Sequence, residues 1–369
     1  MRRSMLLILL LEARCAFADV RPGGVSAVPM AELRGWARAT WAVGPSPRRF
    51  ASVTHTAAGV VLFGGVDDHG PLADPWRWSG GGWHRLAAEN APTPRAGHVA
   101  VWAAGRLCVW GGAAGRTPRG DGACWDPVTD RWRAISGDGA PSPRRRAGAS
   151  VIGGELMIFG GFDAEGEALG DGARYDPLAD RWASLPEGGP APRADASLIT
   201  HGRRVAVLGG VGEALALGGD DAAWFDLEAD AWRRLGGAGG PLAREGAVWV
   251  TGAAATVALG DRAWRFDDGT GWRPTGEGDA PTRRWSASAC PVPEGVVIWG
   301  GIDGARVLND GARYDAAADR WTSLPSRDAP SPRQDALCFY AEGALHLLWG
   351  SDGDALHTDA FTLPWGGDG

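Results

Sequence analysis

PRRRAGASVIGGELMIFGGFDAEGEALGDGARYDPLADRWASLP, residues 143–186, holds in one stretch every signal that the rest of the chain repeats. Its second half returns 139 residues later: DGARYDPLADRWASLP at 171–186 becomes DGARYDAAADRWTSLP at 310–325. Self-similarity at a fixed period marks a repeat array, so the 369 residues are read as one closed array and not as two or three separate domains. Such an array specifies a surface and leaves the chemistry open.

An Arg, usually after Pro, opens each of seven units: Arg48, Arg95, Arg144, Arg193, Arg244, Arg283 and Arg333. The distance from that Arg to the first Gly of a Gly-Gly, or its relic, is 16 residues five times and 17 twice, ending at Gly64, Gly111, Gly160, Gly209, Gly260, Gly300 and Gly350. Two apolar runs split by a short turn lie between them, the pattern of a hairpin of strands a and b. The Gly pair supplies backbone angles closed to other residues at the end of strand b. Then come Asp, three residues and an aromatic, as in Asp121 with Trp125 and Asp171 with Tyr175, marking strand c. A tight turn such as DPVTD at 126–130 leads to strand d, marked by Trp83, Trp132, Trp182, Trp232, Trp272 and Trp321.

Gly-Gly, an aromatic and Trp in each unit of about fifty residues resemble the kelch repeat, whose fold is a propeller of four-stranded blades. The resemblance covers residues 35–365 and implies an all-β, seven-bladed kelch-type β-propeller. Unit 5 departs from the pattern with Leu259-Gly260-Asp261 and a short b-to-c loop; unit 7 departs with Gly350-Ser351 and Leu363 in place of the aromatic. Unit 7 lacks a strand d of its own. Trp36 precedes Arg48 by twelve residues, the spacing from Trp83 to Arg95, so the N-terminal strand is predicted to close the ring. Closure would also remove an exposed sheet edge.

The 37 basic residues are all Arg, which coding bias explains, and a net charge of −7 without basic runs argues against a nucleic-acid surface. Arg2 and Arg3, an apolar run from Met5 to Leu11 and Ala16-Phe17-Ala18 have the shape of a secretory signal. The expected organisation is a signal peptide at 1–18, a linker at 19–34, the propeller at 35–365 and a tail at 366–369. The expected destination is periplasmic or extracellular, with a cytoplasmic protein as the alternative if the signal is not used. No later run approaches the ~20 apolar residues of a membrane span, so no membrane insertion is expected. After cleavage Cys108, Cys124, Cys290 and Cys338 remain, and Cys108 and Cys124, on consecutive strands of one unit, are able to pair. No Cys-x-x-Cys or tight cluster points to a metal, and no cofactor is expected.

Chain direction puts the d-to-a and b-to-c loops on one face and the short, uniform a-to-b and c-to-d turns on the other. Two positions after each opening Arg then ring the channel mouth: Arg49-Phe50, Ala96-Gly97, Arg145-Arg146, Ala194-Asp195, Glu245-Gly246, Arg284-Trp285 and Gln334-Asp335. In a repeat otherwise so regular, this mixture makes Arg49, Phe50, Arg145, Arg146, Asp195, Glu245, Arg284, Trp285, Gln334 and Asp335 the candidate ligand-binding set. The competing reading is a solvated rim. The kelch resemblance implies that Arg146 would meet acidic ligand groups, as in peptide-binding members. The opening Arg and the Asp before strand c recur in nearly every unit, which makes them structural.

Enzyme motifs of the GxSxG, HExxH and phosphate-loop kinds are missing. His55 and His98 stand seven and three residues after their Arg, too different in height to share a metal. Copper radical oxidases share the seven-bladed architecture but need two Tyr, a Cys and two His that this pattern does not bring together. Sugar mutarotases of kelch type need only a few acid, base and Arg groups, for which Glu245 with Arg284 would serve. The first reading is therefore an exported, monomeric propeller that binds a protein, peptide or glycan without catalysis. A mutarotase-like or epimerase-like carbohydrate enzyme is the alternative. Ligand identity is not legible.

Overall fold

The computed structural model describes residues 15–16, 35–212, 222–234, 248–251, 256–259, 263–267, 271–276 and 278–365. Among these residues there is no helix, and the fold is an all-β propeller. Six sheets have four strands and one has five. Unit 3 is representative: Gly148–Ile152, Glu155–Phe159, Gly172–Asp176 and Arg181–Ser184 form an antiparallel meander. The five-stranded sheet carries the same meander in unit 1, with Cys15–Ala16 added parallel to Ser52–Thr56. Strand a of each unit touches strand a of the next in cyclic order, and Leu337–Ala341 of unit 7 touches Ser52–Thr56 of unit 1.

Strand b is the apolar spine of each unit. Leu156, Met157, Ile158 and Phe159 are buried, as are Leu62, Phe63, Val109, Trp110, Ile298 and Trp299 elsewhere in the ring. Alternate side chains of a strand point to opposite faces, so both faces of each sheet feed an inter-blade core. The c-to-d turns explain the recurring Asp-x-x-x-Asp. Asp126, Asp176 and Asp315 accept backbone N–H bonds two and three residues on. Asp130, Asp180 and Asp319 end the turns in the left-handed region that Asp tolerates. They accept from the strand-c aromatics Trp125, Tyr175 and Tyr314.

The opening Arg is a fully buried clamp. Arg144 donates to Ser142 O, Ser142 Oγ, Gly160 O and both carboxylate oxygens of Asp171, at 2.8 to 3.1 Å. Arg48 and Arg95 repeat the arrangement with Asp74 and Asp121. Burial would raise Asp74 and Asp171, but hydrogen bonds from Arg48 and Arg144 and their charges hold both below the usual carboxylate range.

This clamp corrects the register of two units. In unit 6 the clamping residue is Arg284, which is 0% exposed and bonds Thr282, Gly300 O and Asp310. In unit 7 Arg333 donates to Trp349 O, 16 residues on, so the Gly-Gly position is held by Trp349-Gly350 and not by Gly350-Ser351. Trp349 has φ 55° and Gly350 φ 93°. The second position of the pair demands glycine here as elsewhere: a Cβ on Gly350 would lie 2.8 Å from Gln334 O, as one on Gly161 would lie 2.9 Å from Arg145 O. The two 17-residue spacings of the sequence thereby become 16, as in every other described unit.

Ala37–Ala39 pairs antiparallel with Ala360–Pro364 and supplies the outer strand of unit 7. Trp36 itself precedes this strand and packs into the core between units 6 and 7, with its ring centroid 4.8 Å from that of Trp299. Its indole N–H donates to Pro325 O at 3.0 Å. The same bond links strand d to the preceding unit from Trp132 to Ala87 O, Trp182 to Ser136 O and Trp232 to Pro186 O. At the seam, therefore, Trp36 does what strand-d Trp residues do inside the ring.

Cys108 and Cys124 form a disulfide between directly opposed positions of strands b and c in unit 2. With a sequence separation of 16 the closed loop is short, and removing such a crosslink costs about 3 kcal/mol. Cys108→Ala with Cys124→Ala is expected to lower the denaturant midpoint accordingly. Wild type treated with reductant under partly denaturing conditions should show the same loss.

Candidate functional site

The mouth is built by a second repeating device, just after the clamp. The residue following each clamp Arg bridges to the residue after the Gly pair: Arg49 to Val66, Ala96 to Ala113, Arg145 to Phe162, Ala194 to Val211, Trp285 to Ile302 and Gln334 to Ser351. The next residue turns into the left-handed region, with φ from 51° to 62° at Phe50, Gly97, Arg146, Asp195, Ser286 and Asp335. Non-glycine residues rarely adopt this conformation, and a ring of them concentrates local strain at one site. Backbone bonds between units hold them there. Arg146 N donates to Gly97 O at 2.8 Å, Asp195 N to Arg146 O at 2.9 Å and Asp335 N to Ser286 O at 2.9 Å.

Of the sequence-derived set, Arg49, Phe50, Arg145, Arg146, Asp195, Trp285, Gln334 and Asp335 occupy this double ring. Arg284 does not: it is the unit 6 clamp, and its fork is already spent on Asp310 and backbone carbonyls. The mouth pair of unit 6 is Trp285-Ser286, and Ser286 is the member that the sequence reading missed. A signal for it exists. Ser or Thr stands two residues before the clamp in Ser46, Thr93, Ser142 and Ser331, and Thr282 points in the same way to Arg284. Glu245 lies outside the described residues. Without Arg284 at the mouth, the pairing of Glu245 with Arg284 that a mutarotase-like reaction required is lost.

Side-chain chemistry divides the ring. Arg146 and Asp195 form an ion pair, with side chains 15% and 12% exposed. Arg145 is tied down by bonds to Arg116 O and Asp163 O and by the Phe162 ring beneath it. Arg283 lies over Trp285, 5.3 Å from its centroid, and the Arg49 guanidinium lies 5.9 Å from the Phe50 centroid. Arg49 makes no side-chain hydrogen bond among the described residues, and its Nε is buried without a partner. Asp335 likewise has a buried Oδ1 with no partner. Burial pushes the Asp335 carboxyl up to about 7, against the lowering pull of a Ser286 hydrogen bond and the charges of Arg49 and Arg146. Arg146 pairs with Asp195, and Arg49 and Arg146 both act on Asp335, so charges from units 1, 3, 4 and 7 are coupled around the ring.

Among the described residues no group of His, Cys, Asp or Glu is disposed to hold a metal ion. His98 Nε2 hydrogen-bonds Ser52 Oγ at 2.8 Å, and burial with the nearby Arg95 charge lowers its pKa to about 3. It is a neutral packing residue between units 1 and 2, edge-on to Phe63. No helix among the described residues is long and apolar enough to cross a membrane.

Comparison with known proteins agrees with this architecture. The family model described as the KLHDC2/KLHL20/DRC7 Kelch-repeats domain matches residues 77–260. A curated relative, the dynein alpha chain of the flagellar outer arm from Chlamydomonas reinhardtii, is 29% identical over 177 residues, covering 42% of this chain and 4% of that protein. The chain thus corresponds to a small part of its relative's length. With the matched repeats, the buried Arg clamps and the four-stranded meanders together, the chain is a kelch-repeat β-propeller protein.

Proposed function

We propose that the protein is a seven-bladed propeller, the five-stranded sheet counting as its first blade, and that it binds a protein or peptide ligand at the mouth. The observation that carries this reading is the ring of left-handed residues just after the clamps, Phe50, Arg146, Asp195, Ser286 and Asp335, whose side chains differ from unit to unit while the clamps beside them do not. Positions that vary in an otherwise regular array, on the face of the longer loops, suit ligand contact. On the opposite face the described turn carboxylates are taken up by backbone N–H groups and strand-c aromatics. Catalysis is not part of this reading. A monomer is enough for it, since the mouth is completed within one ring.

Screening the protein against arrays of acidic and neutral peptides and of glycans tests the reading. Arg49→Ala combined with Arg146→Ala should weaken the best hit by 2 kcal/mol or more, about thirty-fold, the scale of interface hot spots. Val128→Ser with Leu178→Ser, at exposed turn tips on the other face, should leave it unchanged. The reverse pattern would put the ligand on the wrong side of the ring.

Export belongs to the same proposal. A disulfide in unit 2 suits an oxidising compartment, since cytosolic thiols are kept reduced. Mass spectrometry of the native protein is expected to find a chain beginning at Asp19, and an intact N-terminus recovered from the cytoplasm would count against export.

A further inference from the structure

Strand a is the innermost strand of each described unit, touching strand a of its neighbours, and one of its two edges has no partner within the blade. Its side chains serve the cores between blades, as Val53 does with Leu337 and Phe339 of unit 7. The edge therefore offers the channel its backbone N–H and C=O groups. Such an edge is a template for another extended chain. Among the described residues one of these edges is taken, in unit 1, by a strand that belongs to no blade. Cys15–Ala16 lies parallel to Ser52–Thr56, with Cys15 opposite Val53 and Ala16 opposite Thr54.

This added strand also has Cα atoms within 8 Å of Val99–Ala103 in unit 2 and of Ser288–Val292 in unit 6. A chain laid on unit 1 that reaches strands on both sides of it lies inside the channel, where the residues in its place must be small. Cys and Ala meet that condition. The pairing is not a piece of the repeat: the meander of unit 1 is antiparallel throughout, whereas the added strand runs parallel to its partner.

We propose that the channel-side edge of Ser52–Thr56 is a strand-addition site, held in the uncleaved chain by its own Cys15–Ala16 and opened, when residues 1–18 are removed, to an extended peptide with small side chains at the paired positions. In strand addition main-chain hydrogen bonds supply the affinity, so the guest is recognised by its backbone and by the size of its side chains. A tethered segment competes at high effective concentration, which keeps an outside peptide off the edge until the tether is cut. The opening step rests on the proposed export. The site itself is independent of the mouth, because it uses no side chain of that ring.

The probe is a synthetic peptide of residues 11–20 with Ser in place of Cys15, titrated into the full-length protein and into a full-length variant carrying Cys15→Pro with Ala16→Pro. The prolines remove two N–H groups from the resident strand, and neither position belongs to a blade, so the ring should keep its melting temperature. The variant is expected to bind the peptide at least about tenfold more tightly than wild type, and N-methylation of the peptide at positions 15 and 16 should cost about tenfold or more. Equal binding to both proteins, or an N-methylated peptide that binds as well as its parent, would overturn the inference. Arg49→Ala with Arg146→Ala, added to the proline variant, should leave the affinity within about twofold. A larger loss would move the peptide to the mouth, overturning the strand site and sustaining the mouth reading. Hydrogen exchange of the ligand-free proteins decides the case of a peptide too weak to detect: at least one amide among residues 53–55 should exchange about tenfold faster in the proline variant than in wild type, and no difference would overturn the site. A native chain beginning at Asp19 should bind the peptide as the proline variant does. Its failure to bind would overturn the opening step, as would recovery of an intact native N-terminus.

Discussion

Trp36→Ala is expected to destabilise the whole ring by about 3–5 kcal/mol, the usual cost of truncating a buried Trp. The site is 3% exposed, and the indole fills the core shared by units 6 and 7 beside Trp299, Cys290 and Leu363. The same substitution breaks the N–H bond to Pro325 O that ties the N-terminal strand to the preceding blade. Inside the ring a lost Trp leaves three covalently continuous strands to hold its sheet. At the seam the outer strand is only Ala37–Ala39, and the packing around Trp36 is its main anchor. Urea denaturation of Trp36→Ala beside Trp132→Ala, which removes the equivalent bond to Ala87 O, makes the comparison direct. The seam variant should also gain sensitivity to proteolysis near residue 48, because an open ring frays from its ends. A loss below 1 kcal/mol at Trp36, with the full loss at Trp132, would show that the ring is held shut by something else.

The architecture was legible because its signals are local and repeated. Arg, sixteen residues, then Gly is a distance along one hairpin, and the Asp-x-x-x-Asp turn is satisfied largely within itself. The reading slipped where two neighbouring residues fitted a signal equally well. Arg283 and Arg284 both look like an opening Arg, and the choice depends on which guanidinium is buried beneath Thr282 and Asp310. In unit 7 the visible Gly350 was assigned to the first position of its pair, because in that unit alone of those described a tryptophan, Trp349, takes the left-handed conformation that glycine holds elsewhere, and composition does not show it. The mouth positions could be enumerated, but their pairing could not. Arg146 meets Asp195 from the adjacent unit, and the charge of Arg49 acts on Asp335 from the far end of the chain. Such contacts depend on how neighbouring blades meet around the ring, and no periodicity in the sequence encodes them.

Arg144→Ala and Arg146→Ala, two residues apart, should behave as different kinds of mutation. Arg144 is 0% exposed and satisfies Ser142 O, Gly160 O and the Asp171 carboxylate together. Its truncation leaves those acceptors unpaired and a cavity the size of its side chain, a combination that costs about 3 kcal/mol or more. Arg144→Lys is not expected to rescue it, because one ammonium cannot span acceptors that the planar guanidinium reaches in several directions. The Asp171 side chain is 61% exposed, so water takes over part of its solvation and the loss stays below that of a fully buried ion pair. Acid should imitate the mutation. The clamp carboxylates Asp74 and Asp171 are held below their ordinary range in the fold, so their contribution is present above the unfolded carboxylate pKa and is lost as pH falls through the lower folded value. Arg146→Ala gives up an ion pair with Asp195 at the open mouth, where water can enter behind it. Its cost to stability should be clearly the smaller of the two, with binding taking most of the effect. Urea midpoints at pH 7 and pH 3 separate the pair: Arg144→Ala should lose stability at pH 7 and then fall less than wild type on acidification, by the Asp171 contribution alone, since Asp74 still titrates in it, whereas Arg146→Ala should track wild type down the acid limb. Equal midpoints for the two variants at pH 7 would mean that the buried arginines are not what fixes the blades in register.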